Sequence, residues 1–182
     1  MTHVALLRGV NVGGKNRVEM ARLRQVIEDL GHGEVRTYIN SGNAIFNSKG
    51  AQDPTKAIVE GIAEEFGFPI EVIVKDLETV EQVEQAIPED WVDDKTMRTY
   101  VMFLWDEFDK PKVMDDLPIK EDLDNVIYVE GALIWQVERK NVTKSGMNKV
   151  VSGPLYKAMT IRNANTVRKI ASMMREAAAT DG

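Results

Sequence analysis

Residues Arg8–Asn16, which read RGVNVGGKN, carry glycine, lysine and arginine at spacings that suit an anion. Gly9 is followed after four residues by Gly14-Lys15, the start of the phosphate-binding pattern G-x-x-x-x-G-K-[ST]. In that pattern the backbone cradles phosphates, the lysine contacts them, and the final hydroxyl binds magnesium. Asn16 stands where the hydroxyl is needed. The stretch therefore leaves three readings open: a nucleotide site, a site for another anion, or an ordinary loop.

The neighbouring elements argue against a phosphate-loop nucleotide hydrolase. The run YVMFLWDE ends in Asp106-Glu107, as a Walker B strand does. However, the strand predicted after the first helix pairs locally with the next strand as a hairpin. A phosphate-loop domain continues instead with parallel strands and intervening helices.

The spacing of apolar residues predicts the order β-α-β-β-α-β for the first part of the chain. Asn16 and Glu19 resemble a capping box, so we expect the first helix to begin near Asn16 and to end at Gly31. Asp53-Pro54 opens the second helix, and Gly67 ends it. The predicted strands are Val4–Val10, Val35–Ile39, Asn43–Phe46 and Ile70–Val74.

The rest of the chain partly repeats this order. A linking helix runs from Asp76 to near Pro88, and a final helix carries apolar residues at helical spacing from Val167 onward. The strands predicted between them are Arg98–Trp105, Asn125–Val129 and Ala132–Glu138, with a short helix at Lys112–Leu117. No final strand is evident.

The predicted fold is α+β: a ferredoxin-like βαββαβ unit followed by a second, incomplete ferredoxin-like βαββα unit. The predicted domains are residues 1–76, a linking helix and loop at 77–94, and a second subdomain with the C-terminal helix at 95–182.

In a ferredoxin-like unit, strands one and two are parallel, and strand three lies between them. The loop after strand one and the turn after strand two therefore meet at one end of the sheet, beside the start of the first helix, where anions bind well. The same residue types also build ordinary turns. Arg8 can instead pair with an acidic residue of the middle segment of the chain, residues 51–138. The candidate anion ligands are Arg8, Asn11, Gly13, Gly14, Lys15, Asn16, Ser41, Gly42 and Asn43.

A second polar cluster lies near the C-terminus. The basic stretch RKNVTKSGMNK (Arg139–Lys149) is followed by TIRNANT, in which Asn163 or Asn165 can cap the final helix. Plain helix capping is the alternative explanation. If this cluster binds a ligand, we expect it to approach the groove of the N-terminal loops. Its candidate ligands are Lys144, Thr160, Arg162, Asn163, Asn165 and Thr166.

Composition narrows the function classes. The chain has no cysteine, which excludes disulfides and thiolate chemistry. It has two histidines, and we expect neither a metal nor a cofactor. No signal pattern or long apolar run is present, so we expect a cytoplasmic protein without membrane contact. Residues 1–50 carry a net charge of +3, residues 51–138 of -16 and residues 139–182 of +7. Two basic ends can attract an anionic partner, although the acidic pI of about 5.1 argues for local contact with nucleic acid only.

Three blocks in this order, RGVNVGGKN, TYINSGNAIF and TIRNANTVRKI, resemble the uncharacterised bacterial family called domain of unknown function 1697. The resemblance spans nearly the whole chain and implies a compact α+β protein with ferredoxin-like subdomains. It implies no reaction. Ala164 stands where we would expect an aromatic residue in the third block.

The favoured hypothesis is a binding protein for a phosphate-bearing ligand, nucleotide or nucleic acid, in a groove between the two subdomains. An interaction or structural module without a small-molecule site is the first alternative. An enzyme acting on a phosphorylated small molecule is the second, although no acid–base group stands out.

Overall fold

The computed structural model describes residues 1–50 and 52–180. The chain forms two compact units: residues 1–77 with residues 170–180, and residues 78–169. Each unit is built on its own four-stranded antiparallel sheet. The chain is therefore an α+β protein, as the order of strand and helix patterns predicts.

The first unit contains four strands and two helices before its share of the C-terminal helix. Their bounds are β1 (Thr2–Leu7), α1 (Met20–Asp29), β2 (Gly33–Thr37), β3 (Asn43–Asn47), α2 (Thr55–Phe66) and β4 (Val72–Asp76). The sheet order is β2-β3-β1-β4, and every neighbouring pair is antiparallel. As a result, β1 and β2 run in the same direction with β3 between them.

The core of the first unit lies between one sheet face and the two helices. All six residues of β1 are buried, so this central strand is shielded on both faces. The helices contribute apolar residues at a spacing of four, Leu23 and Ile27 from α1 and Ile58 and Ile62 from α2. α2 ends at Gly67, whose φ of 73° suits a residue without Cβ. The predicted end of this helix is confirmed.

The sheet of the second unit has the order β6-β7-β5-β8, in which these strands take the places of β2, β3, β1 and β4 in the first sheet. Its elements are α3 (Leu77–Ala86), β5 (Met97–Leu104), β6 (Asp124–Val129), β7 (Ala132–Glu138), α4 (Met147–Ser152), β8 (Met159–Asn163) and α5 (Ala164–Ala179). Short 3-10 helices cover Pro111–Asp116, Arg139–Asn141 and Pro154–Ala158. α5 begins in this unit and ends in the first unit, where the Asn47 side chain donates to the Ala177 carbonyl over 3.0 Å.

Strand β8 corrects the sequence prediction, which left the second unit without a final strand. β8 pairs with β5, and Thr160 and Arg162 lie opposite Phe103 and Val101. The strand was missed because it has only five residues and ends directly at a helix. In the sequence, its alternating apolar and polar residues also fit a polar cluster.

Asp124 organises the polar interior of the second unit. Its carboxylate accepts hydrogen bonds from the Trp135 indole over 3.1 Å, the Gly146 amide over 2.9 Å, the Lys120 amide over 3.0 Å and the Ser145 hydroxyl. Burial raises the pKa of Asp124, but these hydrogen bonds outweigh it and hold the pKa below its ordinary value. The charged carboxylate therefore stabilises the fold.

The substitution Asp124→Asn should lower the free energy of unfolding by about 2 kcal/mol or more. It removes a charged acceptor and places a side-chain NH2 group, itself a donor, among the donors that bind Asp124. Urea unfolding followed by tryptophan fluorescence measures the change. Asp122→Asn, at an exposed neighbouring position, is the matched control and should change stability little. Equal effects of the two substitutions would contradict the role of Asp124.

Two histidines flank Phe46 in the first unit. The His3 ring stacks on Phe46 with centroids 5.6 Å apart, and the His32 ring lies 4.9 Å from it. His32 Nδ1 is buried without a hydrogen-bond partner among the described residues. Burial lowers the pKa of both imidazoles below 6.5, although the hydrogen bond with the Met1 carbonyl and the charges of Asp76 and Asp53 oppose this at His3. The N-terminal amino group lowers the pKa of His3 further, and His3 and Lys49 do so at His32.

Because the folded-state pKa values are depressed, the unfolded chain takes up protons first as the pH falls through about 6.5. The stability that the neutral rings provide is therefore complete above that pH and should decrease below it. Urea unfolding at about pH 7.5 and about pH 5.5 measures the loss. The double variant His3→Gln/His32→Gln should lose less on acidification than the wild type does. An unchanged difference between the two pH values would refute the role of the imidazoles.

Candidate functional site

The loop that follows β1, residues 8–19 (the first loop), is held in an unusual backbone conformation. Five of its residues have positive φ angles between 50° and 76°: Gly9, Asn11, Gly13, Gly14 and Asn16. Glycine reaches this region without steric cost, and asparagine tolerates it better than most residues. The glycine and asparagine content that suggested an anion site is thus also required by the path of the backbone.

Asn11 connects the first loop to the turn at residues 38–42 (the second turn). Its side-chain amide donates to the Asn40 carbonyl over 2.8 Å and to the Val18 carbonyl over 2.9 Å. Its side-chain oxygen accepts from the Val18 amide over 2.9 Å. The loop and the turn therefore lie at the same end of the sheet, the arrangement that the strand order predicts.

Gly42 lets the second turn approach the end of β1. Its carbonyl accepts a hydrogen bond from the Leu7 amide over 2.9 Å. Its φ is 77°, and a Cβ at this position would lie 2.7 Å from Leu7 Cβ and 2.8 Å from a methyl of Val10. Only glycine fits this position, and its role here is structural.

The start of α1 differs from the sequence prediction. The helix begins at Met20, with Glu19 as the N-cap residue, and no side chain caps it. Asn16 has a φ of 50°, and its side chain donates to the Gly9 carbonyl over 3.2 Å. The predicted capping box is therefore wrong, because the Asn16 side chain bonds to another residue of the first loop and does not cap the helix.

An open cleft of about 520 Å³ lies between the first loop, the second turn and the start of α1. The side chains of Lys15 and Arg17 are exposed at its rim. Arg17 is 3.4 Å from the carboxylate of Glu19, and both of these side chains remain more than half exposed. The residues that line the cleft are Asn11, Gly14, Lys15, Arg17, Val18, Glu19, Met20, Ala21 and Asn40.

The start of α1 lies in the lining of the cleft and has amides without helical acceptors. The first amide bonded to Glu19 in the helical pattern is that of Leu23. The amides of Met20 and Ala21, both in the lining, precede it and have no carbonyl within the helix to bind. Cationic side chains and helix-start amides favour a negatively charged group.

Like Asn11 and Asn16, three further candidate ligands of the first unit make internal contacts: Arg8, Ser41 and Asn43. Arg8 forms an ion pair with Glu71, an acid of the middle segment, and its amide donates to the Glu71 carbonyl over 2.9 Å. Asn43 is fully buried and donates to the Tyr38 carbonyl over 2.8 Å and to the Ser41 hydroxyl over 3.0 Å. These bonds shape the second turn and the end of β1.

The C-terminal candidates lie in the second unit, where most of them are buried or bonded. Thr160 and Arg162 are neighbours in β8: the Arg162 guanidinium donates to the Thr160 hydroxyl over 3.1 Å, and burial lowers the pKa of Arg162 to about 10. Asn163 caps α5 through the Thr166 amide over 2.7 Å. Asn165 donates to the Asp93 carbonyl over 2.9 Å.

Lys144 is exposed, and so is Asn165 despite its hydrogen bond. A role of the C-terminal residues in ligand binding remains a prediction.

Sequence reasoning missed several residues of the cleft. Arg17, Glu19 and Asn40 were not among the candidates, although Arg17 lies only two residues beyond Lys15. A count of charges along the whole loop would have found Arg17. Asn40 could be found only from the folded chain, because its place in the lining depends on the contact with Asn11.

Among residues 1–50 and 52–180, no group of His, Cys, Asp and Glu side chains could hold a metal ion. The helices of these residues are too short or too polar to span a bilayer.

The fold and the cleft thus define an α+β protein of two antiparallel sheets with a polar cleft in its first unit. The family described as "Protein of unknown function (DUF1697)" matches residues 1–135, and the chain belongs to this family. A solved structure of a conserved bacterial protein from Streptococcus pneumoniae is similar, with 30% identity and a TM-score of 0.79. The similarity covers 95% of this chain and 98% of that chain. The comparison with curated proteins yields no match.

The family match confirms the resemblance seen in the sequence motifs. The blocks RGVNVGGKN and TYINSGNAIF lie inside the matched residues, whereas TIRNANTVRKI lies beyond residue 135.

The substitution Asn11→Ala should lower the free energy of unfolding by about 1–3 kcal/mol, because three hydrogen bonds of a half-buried amide are lost. Urea unfolding measures the change. Asn40→Ala removes the same kind of side chain beside it and keeps the backbone carbonyl that Asn11 contacts, so it should alter stability much less. If both variants are equally stable, the Asn11 side chain does not hold the loop to the turn.

Proposed function

We propose that this protein binds a phosphate-bearing ligand, a nucleotide or a nucleic acid, in the cleft beside the first loop. The observation that carries the proposal is the pairing of Lys15 and Arg17 with helix-start amides around one cleft. A volume of about 520 Å³ falls within the range of small-molecule sites, roughly 300–1,000 Å³. Charged donors contribute most of the affinity for an oxyanion, and backbone amides fix its position.

Binding without catalysis is the better supported form of this function. Glu19 is the single carboxylate in the lining, and the lining contains no histidine. His3 is at the start of β1, whereas the first loop follows the end of that strand, roughly 13 Å away at about 3.3 Å per residue. General acid–base catalysis requires a group that titrates near neutral pH, and the described lining contains no such group.

An interaction or structural module is the second candidate function. The hydrogen bonds of Asn11, Asn43 and Asn163 favour it, because these side chains are bonded within the protein and not directed to a ligand. In this case Lys15 and Arg17 are ordinary solvated charges on a turn.

The finer fold and location belong to this proposal as well. The element order of the first unit and the sheet order shared by both units support a ferredoxin-like assignment. A nucleotide or nucleic acid as ligand is consistent with a cytoplasmic protein.

The variant Lys15→Ala should weaken the binding of labelled nucleotides or short oligonucleotides about tenfold, because one charged hydrogen bond to an oxyanion is worth about 1.5 kcal/mol or more. Arg17→Ala should act in the same direction. Fluorescence titration at low and moderate salt measures the affinity, and added salt should weaken the wild type. Lys49→Ala removes an exposed lysine of the same unit outside the cleft and serves as the control.

Arg8→Ala provides a second control, because Arg8 pairs with Glu71. This variant should change stability more than affinity. A wild type that shows no saturable binding at low salt would refute the ligand proposal for these probes and favour the interaction module.

A further inference from the structure

The second unit carries a surface whose charge is opposite to that of the rest of the unit. Residues 139–157 (the basic segment) contain five Lys/Arg and no Asp/Glu. Residues 78–138 of the same unit contain five Lys/Arg and seventeen Asp/Glu. Residues 158–169 add Arg162, Arg168 and Lys169 and no Asp/Glu, so the positive charges of the unit are concentrated in its C-terminal part.

Two of the five cations are neutralised locally. Arg139 lies 3.2 Å from the Asp93 carboxylate, and Lys140 lies 2.9 Å from the Glu138 carboxylate. The other three, Lys144, Lys149 and Lys157, are exposed. None of these three has a carboxylate within 4.0 Å among the described residues. Their charges are available to a partner.

The backbone that carries these lysines is firmly anchored. The buried Asp124 carboxylate binds the Ser145 hydroxyl and the Gly146 amide, immediately after Lys144. A Cβ on Gly146 would lie 1.8 Å from the Pro118 carbonyl oxygen, so the chain passes in close contact with its neighbour there. A partner that binds the lysines does not need to order this backbone, which lowers the entropic cost of binding.

The next part of the basic segment faces the core on one side and solvent on the other. Met147 and Val150 of α4 are buried, whereas Lys149 between them is exposed. α4 packs against the 3-10 helix Pro154–Ala158, which carries Lys157. Lys149 and Lys157 therefore lie, both exposed, on two elements that contact each other.

Two anionic partners are conceivable for such a surface, a membrane and a nucleic acid. A helix that lies in a membrane interface needs an exposed apolar face, but α4 uses Met147 and Val150 in the core and exposes only Val151 among its apolar residues. Lysines on a fixed polar surface suit the phosphate backbone, where charge gives affinity without sequence readout. The Lys120 ammonium donates to the Lys144 carbonyl, and the acidic residues Glu121 and Asp122 follow Lys120 in the chain.

We propose that Lys144, Lys149 and Lys157 form a contact surface for the phosphate backbone of a nucleic acid. The contact is independent of base sequence. It belongs to the second unit and does not require that the cleft of the first unit binds a ligand.

The test compares two triple variants that change the net charge equally. Lys144→Gln/Lys149→Gln/Lys157→Gln removes the proposed surface, and Lys95→Gln/Lys110→Gln/Lys112→Gln removes three exposed lysines from the acidic part of the unit. Fluorescence anisotropy with a labelled single-stranded oligonucleotide of mixed sequence, over a series of salt concentrations, gives affinity and salt dependence for each.

For three phosphate contacts, the logarithm of the wild-type binding constant should fall with the logarithm of salt with a slope of roughly -2. The first triple variant should bind about tenfold or more weakly at low salt and lose most of this slope. The second should retain most of both. Circular dichroism checks that each variant is folded, and the single variant Lys149→Glu tests the surface if the triple variant does not fold.

Three results would overturn the proposal: equal losses in the two triple variants, no binding of the oligonucleotide by the wild type, or stronger binding to phosphatidylserine vesicles than to the oligonucleotide. The variant Lys15→Ala separates this proposal from the first-unit cleft. If it weakens nucleotide binding while the first triple variant leaves oligonucleotide binding unchanged, the cleft function holds and the second-unit surface does not.

Discussion

The side chain of Asn11 is the interaction on which the candidate site depends. It bonds to both backbone groups of Val18 and to the carbonyl of Asn40, so that one amide joins the first loop to the second turn. Since Met20 follows two residues after Val18, the same bonds also set where α1 begins. The cleft exists because these three pieces of backbone are held around it.

The second unit uses a carboxylate for a similar purpose. Asp124 collects four donors from three separate stretches of chain, including the Trp135 indole and the Ser145-Gly146 turn. A buried charge is stable only when its hydrogen bonds are satisfied, and here they are satisfied by backbone and side chains that must therefore stay in place. In each unit, one polar side chain fixes a loop, and a lysine of that loop, Lys15 or Lys144, is exposed to solvent.

This division of labour bears on the function. Asparagine and glycine suggested a ligand site in the sequence, but most of them shape the backbone, as Gly42 and Asn43 do. The residues left for a partner are cations on fixed loops, Lys15 and Arg17 in one unit and three lysines in the other. Cations that are fixed in this way can hold an oxyanion, and this is the basis of the proposal that the protein binds a phosphate-bearing ligand.

The sequence by itself determined the class of the fold, the order of its main elements and the position of the glycine-rich loop after β1. These follow from local patterns: apolar periodicity, the glycine that ends α2, and hairpin signals. Only the tertiary structure decided that α1 starts at Met20, that β8 completes the second sheet, and that Arg8 pairs with Glu71. Each of these depends on partners distant in the chain, because a short strand or a single charge acquires its role only when folding brings its partner beside it.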